Sequence, residues 1–294
     1  MACMIDRYLL RYFLSVIDQG NFSKAAAACN VSQPTLSVGI AKLEREMGRA
    51  LFHRTNKRVE LTEAGARFAV HARRIEAEFA HAEREVRGTT VQSTVRLGLL
   101  PTLPAPWIEA FLTRLGQSDE RVELVEGRER ELLERLARGR IDVALTLIHG
   151  DHRFASEPLF REGYALALPA GHRLAGRAMI EAEELAEETM IVRRQCEMLA
   201  ATSRHFTARG VRPFFAARTT SDERALALVR AGLGVTVMPE GFHAPGVARP
   251  RLADFTEERE IGLLYAVHVD AARLRGGAVL SALTGALAQV RAAG

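Results

Sequence analysis

Apolar residues recur along this chain at two different periods, and the change of period divides it. Over residues 5–18, Leu9, Phe13, Val16 and Ile17 fall on one helical face, and Gly20 follows as a stop. Ser23 stands as the N-cap of a second helix, Lys24 to Cys29, whose four alanines permit close helix approach. Asn30 and Val31 make a tight turn. Ser32 caps a third helix with Pro34 in its first turn, where a missing N–H costs nothing. Leu36, Ile40, Leu43 and Met47, spaced four, three and four apart, form its buried stripe, and Gly48 closes it. Two short helices joined by such a turn predict a helix-turn-helix unit. The segment LFHRTNKRVELT then reads as two short strands with Arg54, Lys57 and Arg58 at the hairpin tip, a basic wing.

From Thr62 to about Arg87 the pattern lengthens. Phe68, Ala72, Ile75, Phe79, Ala82 and Val86 alternate at four and three residues, the repeat of a coiled coil. A seam with no domain of its own beside it needs a cover, so a twin helix and hence a dimer are expected. Gly88-Thr89-Thr90 breaks the helix.

Beyond Thr94 strand and helix patterns alternate, which predicts an α/β body with parallel sheets. Strands are expected at 94–100, 121–127 and 141–148, with helices at 104–115 and 128–139. After a crossing segment at 157–169 a second set follows: strands 189–193, 214–218 and 234–239, helices 197–210 and 221–232. A return strand at 258–267 and a terminal helix at 274–293 complete it. Two lobes with two crossings imply a cleft and a hinge. The first lobe is assigned 91–162 and 267–294, and the second 163–266.

Charge sharpens this division. Residues 1–90 carry 14 Lys/Arg against 10 Asp/Glu, while the remaining residues carry 26 of each. The whole excess sits on the head, as a polyanion-binding module would have it. The apolar N-terminus is broken by Asp6, Arg7 and Arg11, unlike a signal peptide, and no run approaches a membrane span. Cys3, Cys29 and Cys196 are odd in number and far apart, which argues for a reducing cytoplasm rather than a disulfide framework. No phosphate-binding loop, nucleophile elbow or C-x-x-C occurs, and HGDH at 149–152 lacks further ligands, so neither an enzyme, a cofactor nor a metal is expected.

With the stripe of the third helix packed inward, Gln33, Thr35 and Ser37 lie at its exposed N-terminal end. In the major groove, glutamine can pair with adenine and a threonine methyl can touch thymine. In the body, ligands of open α/β folds sit beyond the carboxyl ends of strands. That places Pro101, Thr102, Leu103, Thr146, Arg193, Arg194, Gln195 and Cys196 around the cleft. Thr102 precedes a helix and could receive an anion, and Arg193 or Arg194 could pair a carboxylate. A small anionic metabolite is therefore the expected effector.

The stretch NFSKAAAACNVSQPTLSVGIAKLEREMGRALFHRTNKRVELTEAG resembles the N-terminal signature of the LysR-type transcriptional regulators. It carries S-x-x-A-A, V-S-Q-P-x-L-S, I-x-x-L-E-x-x-x-G, L-F-x-R and L-T-x-A-G in order. ELLERLARGRIDVAL and VRAGLGVTVMPEG extend the similarity through the body. The resemblance implies a winged helix-turn-helix DNA-binding domain (1–61), with contacts from Ser23, Ser32, Gln33, Pro34, Thr35, Ser37, Lys42, Arg54, Lys57 and Arg58. It implies a coiled-coil dimerising linker helix (62–90) and a two-lobed regulatory domain similar to periplasmic binding proteins (91–294). Promoter DNA, a small-molecule effector and a homodimer or dimer of dimers follow as partners, with RNA polymerase as a further candidate and no membrane. Val38 and Gly39 depart from the family's usual larger polar residues. In the peroxide-sensing branch a cysteine occurs near Cys196 with a second shortly after; here no second follows, which leaves a single-cysteine redox switch as the alternative function.

Overall fold

The computed structural model describes residues 5–53, 59–87, 94–116, 118, 120–150 and 153–292. In the head, α1 (Arg7–Gln19) ends at Gly20, whose φ of 63° takes the left-handed turn and whose N–H donates to the Val16 carbonyl. α2 (Phe22–Ala28) begins earlier than the sequence pattern suggests. Asn21, not Ser23, is its cap: Asn21 Oδ1 accepts from the Ser23 N–H at 2.8 Å and the Lys24 N–H at 3.1 Å. Both residues are good caps, and the one that starts the turn wins; Ser23 is left exposed on the first turn.

α3 (Gln33–Met47) is capped by Ser32 and closed by Gly48 at φ 64°. Its stripe of Leu36, Ile40 and Leu43 is buried against Leu9 and Phe13 of α1. Gly39 lies on the same buried side, where a Cβ would meet the Tyr12 ring at 2.7 Å. That close approach explains a glycine inside a helix. Glu44 turns the chain toward the wing: its Oε1 accepts from the Leu51 N–H at 2.8 Å and the Phe52 N–H at 3.2 Å. β1 (Phe52–His53) then pairs antiparallel with β2 (Glu60–Leu61). Thr62 Oγ1 accepts from the Gly65 N–H at 2.9 Å and donates to the Ala50 carbonyl at 2.7 Å, capping α4 (Glu63–Arg87) and tying it to the wing.

The seam of α4 divides in two. Phe68 packs on Phe13 with centroids 5.1 Å apart, and Ala72 is buried in the head core. Ile75 and Phe79 remain 41% and 45% exposed, and Ala82 is exposed as well. Arg7 lies 4.5 Å over the Phe79 ring, fixed by ion pairs to Glu76 at 3.1 Å and Glu83 at 2.6 Å. The Val86 side chain and the Gly88–Thr90 break lie outside the described residues. Half-way along, Arg73 is buried between head and body. It pairs with Asp18 at the end of α1 and fills a notch over Gly139, beside His268.

The body alternates as expected: β3 (Thr94–Leu99), α5 (Ala105–Leu115), β4 (Arg121–Glu126), α6 (Glu129–Ala137), β5 (Val143–Leu147), then β6 (Ala155–Glu162) and β7 (Tyr164–Pro169). After β8 (Met179–Ile180) come β9 (Thr189–Arg193), α7 (Leu199–Ala208), β10 (Phe214–Thr219), α8 (Asp222–Arg230) and β11 (Thr236–Pro239). The chain closes with β12 (Val247–Ala248), β13 (Arg251–Leu252), β14 (Arg259–Tyr265), α9 (Ala271–Arg275) and α10 (Ala278–Ala292). The first-lobe sheet runs β4-β3-β5-β14-β6, with β3 parallel to both neighbours. The strand at 259–265, assigned to the second lobe from sequence, belongs to this sheet: β14 pairs antiparallel with β5 and with β6. Its apolar run (Ile261, Leu263, Leu264) fits an interior strand of either lobe, and long-range register decides. In the second lobe β7 carries β11, β12 and β13, and an isolated bridge Met190–Val235 joins the parallel β9–β10 pair to them. β6 and β14 run antiparallel side by side, so both crossings between lobes leave the first-lobe sheet together.

Candidate nucleic-acid interface and interlobe cleft

At the start of α3, Ser32 Oγ accepts from the Thr35 N–H at 3.2 Å and lies 2.7 Å from the Thr35 hydroxyl. Gln33 Nε2 donates to Ser37 Oγ at 2.9 Å. Ser32, Gln33, Pro34 and Thr35 are exposed and Ser37 half-buried, so this polar end projects from the head. Lys42 is not free in the same way. Its ammonium donates to Asp6 at 3.0 Å and sits 5.7 Å over the Tyr8 ring. Arg54, Lys57 and Arg58 of the wing tip lie outside the described residues; the strands that carry them pair through Phe52–Leu61 and His53–Glu60.

The lobes enclose a cleft of about 1000 Å³. Of the expected effector residues, Pro101, Leu103 and Gln195 line it. Two others are spent on internal partners. Thr102 is buried and its hydroxyl accepts from Arg259 Nη1 at 2.9 Å, while its carbonyl accepts from Nη2 at 2.9 Å. Arg193 is buried and paired with Asp222 through Nε at 2.7 Å, with Nη1 donating to the Val237 carbonyl at 3.1 Å. Neither is available to an incoming anion. Thr146 is fully buried in the β5 core, and its hydroxyl has no protein partner. Arg194 is exposed, away from the cleft lining, its N–H held by the Thr219 carbonyl at 2.8 Å. Cleft residues that the sequence did not single out include Glu109, Glu126, Arg128, Glu131, Ser221 and Glu223. The wall thus carries more carboxylates than arginines, against the expectation of an anionic effector.

Behind the cleft lies a buried charge cluster with little local mark in the sequence. Arg259, with 0% of its side chain exposed, bonds Glu162 through Nε at 2.9 Å and Nη2 at 2.7 Å, and Glu197 through Nη1 at 2.6 Å. Glu197 also accepts from the Tyr164 hydroxyl at 2.8 Å, and Glu162 Oε2 accepts from the Gly241 N–H at 2.7 Å. One guanidinium therefore ties the first lobe (Thr102, Glu162) to the second (Glu197). Burial alone would raise the Glu197 pKa, but the charge and hydrogen bond of Arg259, with the Tyr164 hydroxyl, hold it below the usual carboxylate range. Burial and the Glu197 charge push the Tyr164 phenol well up, so it is a donor at every physiological pH. A charged residue opening an apolar strand, as in EREIGLL, was the available signal for Arg259.

Cys196 is half-buried, and its Sγ accepts from Arg193 Nη1 at 3.3 Å. It faces an apolar groove of about 730 Å³ lined by Phe206, Val211 and Phe215. Burial raises its thiol pKa more than the Arg193 charge lowers it. His149 of the HGDH stretch lies 3.3 Å from Glu129; Asp151 and His152 lie outside the described residues. Among the described residues no cluster could hold a metal ion, and no helix is long and apolar enough to cross a membrane.

Residues 8–66 match the bacterial regulatory helix-turn-helix family of lysR proteins, and residues 88–279 match the LysR substrate binding domain. The chain belongs to the LysR family of transcriptional regulators. Among its relatives in this family is the DNA-binding transcriptional dual regulator OxyR of Escherichia coli, 31% identical over 267 residues, or 87% of this chain and 88% of that one. A probable hydrogen peroxide-inducible genes activator of Streptomyces viridosporus is 32% identical over 278 residues, covering 90% and 88%. In fold, this LysR chain is similar to a full-length OxyR cysteine-to-aspartate variant from Pseudomonas aeruginosa (TM-score 0.69, 22% identity, 97% and 95% covered). It is also similar to full-length BenM (TM-score 0.52, 22% identity, 98% and 97% covered). LysR regulators bind DNA and small-molecule effectors and form oligomers, and the winged head and two-lobed body described above are that family's arrangement.

Proposed function

We propose that this LysR regulator acts as a paired assembly that inserts α3 of each head into the major groove of an inverted-repeat operator. Gln33, Thr35 and Ser37 face base edges, while Ser23, Ser32, Pro34, Lys42 and the wing residues Arg54, Lys57 and Arg58 set the register on phosphates. The observation that carries this is the capped, acid-free start of α3, exposed from Ser32 to Thr35, on a helix whose opposite stripe (Leu36, Ile40, Leu43) is buried. The exposed Ile75 and Phe79 on α4 supply the seam for a second copy, and a twofold pair places half-sites about one helical turn, 10–10.5 bp, apart. A ligand bound between the lobes acts by preferring one lobe arrangement, in which the Arg259 tie is made or broken. The cleft wall favours a small ligand that offers donors to carboxylates over a simple anion. Binding of the full-length protein to operator and scrambled duplexes across a salt series tests the DNA reading. Preference for the operator at every salt is expected, and equal affinity throughout would reject it.

A second reading has its own support: relatives bear the name hydrogen peroxide-inducible genes activator, and Cys196 stands in the groove wall beside an arginine. In that reading the Cys196 thiolate attacks peroxide, the O–O bond breaks, one oxygen joins sulfur as sulfenic acid and the other leaves as hydroxide. The raised thiol pKa works against a fast reaction at neutral pH. Mass spectrometry after peroxide treatment, paired with DNA binding before and after, separates the readings. A sixteen-dalton gain on Cys196 with altered binding supports a redox switch, and oxidation without altered binding removes it.

A further inference from the structure

The side of α3 turned directly away from its core is apolar until its last turn. Pro34, Val38, Ala41 and Arg45 follow one another at four, three and four residues, all exposed. Val38 is 71% exposed, and Gln33 is turned aside to Ser37 rather than over it. A β-branched valine is a poor choice for a solvated helix face, since it loses rotamer freedom and gains no burial. The same stiffness makes it a good probe, because its two methyls are held in one rotamer. One valine between a proline and an alanine is too small an apolar strip to seat a protein, yet it matches the C5 methyl of one thymine. No acidic residue lies between Gln33 and Leu43, the stretch of α3 around Val38, so these surroundings suit a polyanion.

We infer that Val38 is a specificity-determining residue, its methyls closing on the C5 methyl of one thymine in each operator half-site. This rests on the operator reading above and gives the departure from a larger polar residue at this position a chemical consequence. The contact excludes water from a methyl, discriminates thymine from cytosine without any hydrogen bond, and repeats in both half-sites.

The test uses the full-length protein and an operator obtained by selection from random duplexes. Each thymine is replaced singly by deoxyuridine, which removes the methyl and nothing else. Wild-type protein is expected to lose about fourfold in affinity at one thymine per half-site, the weight of a buried methyl group at roughly 0.8 kcal/mol, and about sixteenfold when both half-sites are changed. Val38→Ala should bind the unmodified operator more weakly and lose its response to deoxyuridine at that position. Val38→Thr, nearly the same shape, controls for folding and should respond less than wild type. Deoxyuridine responses that are identical in wild type and both variants, with operator preference intact, overturn the role of Val38 alone. Absence of any operator preference in wild-type protein overturns the DNA reading beneath it and the inference with it.

Discussion

Replacing Arg259 by methionine keeps the length of the side chain and removes its charge from a site that is closed to water. Five hydrogen bonds are lost: two to Glu162, one to Glu197 and two to Thr102. The carboxylates left behind are 5% and 12% exposed, too little for water to replace the guanidinium. Breaking a buried pair by removing one partner costs about 3–5 kcal/mol. For a body of this size that corresponds to a fall in melting temperature of roughly 6–20 °C. The pH dependence should reverse as well. In the wild type the Glu197 pKa is depressed, so its contribution to stability is present above the unfolded value and is lost as pH falls through the folded one. Without Arg259, burial, the largest single influence on Glu197, is opposed only by the Tyr164 hydroxyl and a backbone hydrogen bond; the pKa should rise, and stability should instead fall as pH rises past the unfolded carboxylate value of about 4.3. Thermal melts followed by circular dichroism at about pH 5 and about pH 7.5 read both effects, with the larger deficit expected at the higher pH. A variant that melts with the wild type, or whose deficit is the same at both pH values, would refute the idea that this guanidinium holds the lobes together. Adding Glu162→Gln to Arg259→Met should recover part of the loss, because one uncompensated charge is gone.

Asp142, pulled down to about 2 against burial by His268 and Arg96, contributes stability above its ordinary pKa of 3.8 that disappears as pH falls toward 2. Asp142→Asn should cost about 2 kcal/mol near neutrality and flatten the acid limb of a stability-versus-pH curve; an unchanged limb would contradict this. Ser32→Ala removes the cap of α3 and should lower head stability by about 1 kcal/mol in denaturant melts while weakening DNA binding. Ile75→Asp puts a charge into the exposed seam of α4, so sedimentation should show the assembly shifting toward monomer; unchanged mass would place the subunit contact elsewhere.

Local chemistry made much of the head legible. The Ser32 cap, the Leu36–Ile40–Leu43 stripe and the glycine stops at Gly20 and Gly48 act within one turn of helix, and each leaves a local mark in the sequence. The start of α2 is not legible in the sequence, because Asn21 and Ser23 are both competent caps two residues apart. In the body, the alternation of strand and helix was readable because helix and strand bury their residues at different periods. Period does not name a partner, however. The strand at Arg259–Tyr265 joins a first-lobe sheet through residues about a hundred positions earlier in the chain. The cleft suffered most from this. Arg193 and Thr102 have the right chemistry to meet an anion, but Asp222 and Arg259, distant in sequence, already occupy them. No local signal says that a charge is neutralised from afar.

The central claim, that two α3 ends enter the major groove of one duplex, is most directly tested by dimethyl sulfate probing of the operator bound by full-length protein. Guanine N7 opens to the major groove and adenine N3 to the minor. Two patches of N7 protection spaced about one helical turn, 10–10.5 bp, are predicted, with N3 reactivity beneath them unchanged. Protection confined to adenine N3, or no N7 protection at a bound operator, would contradict the account.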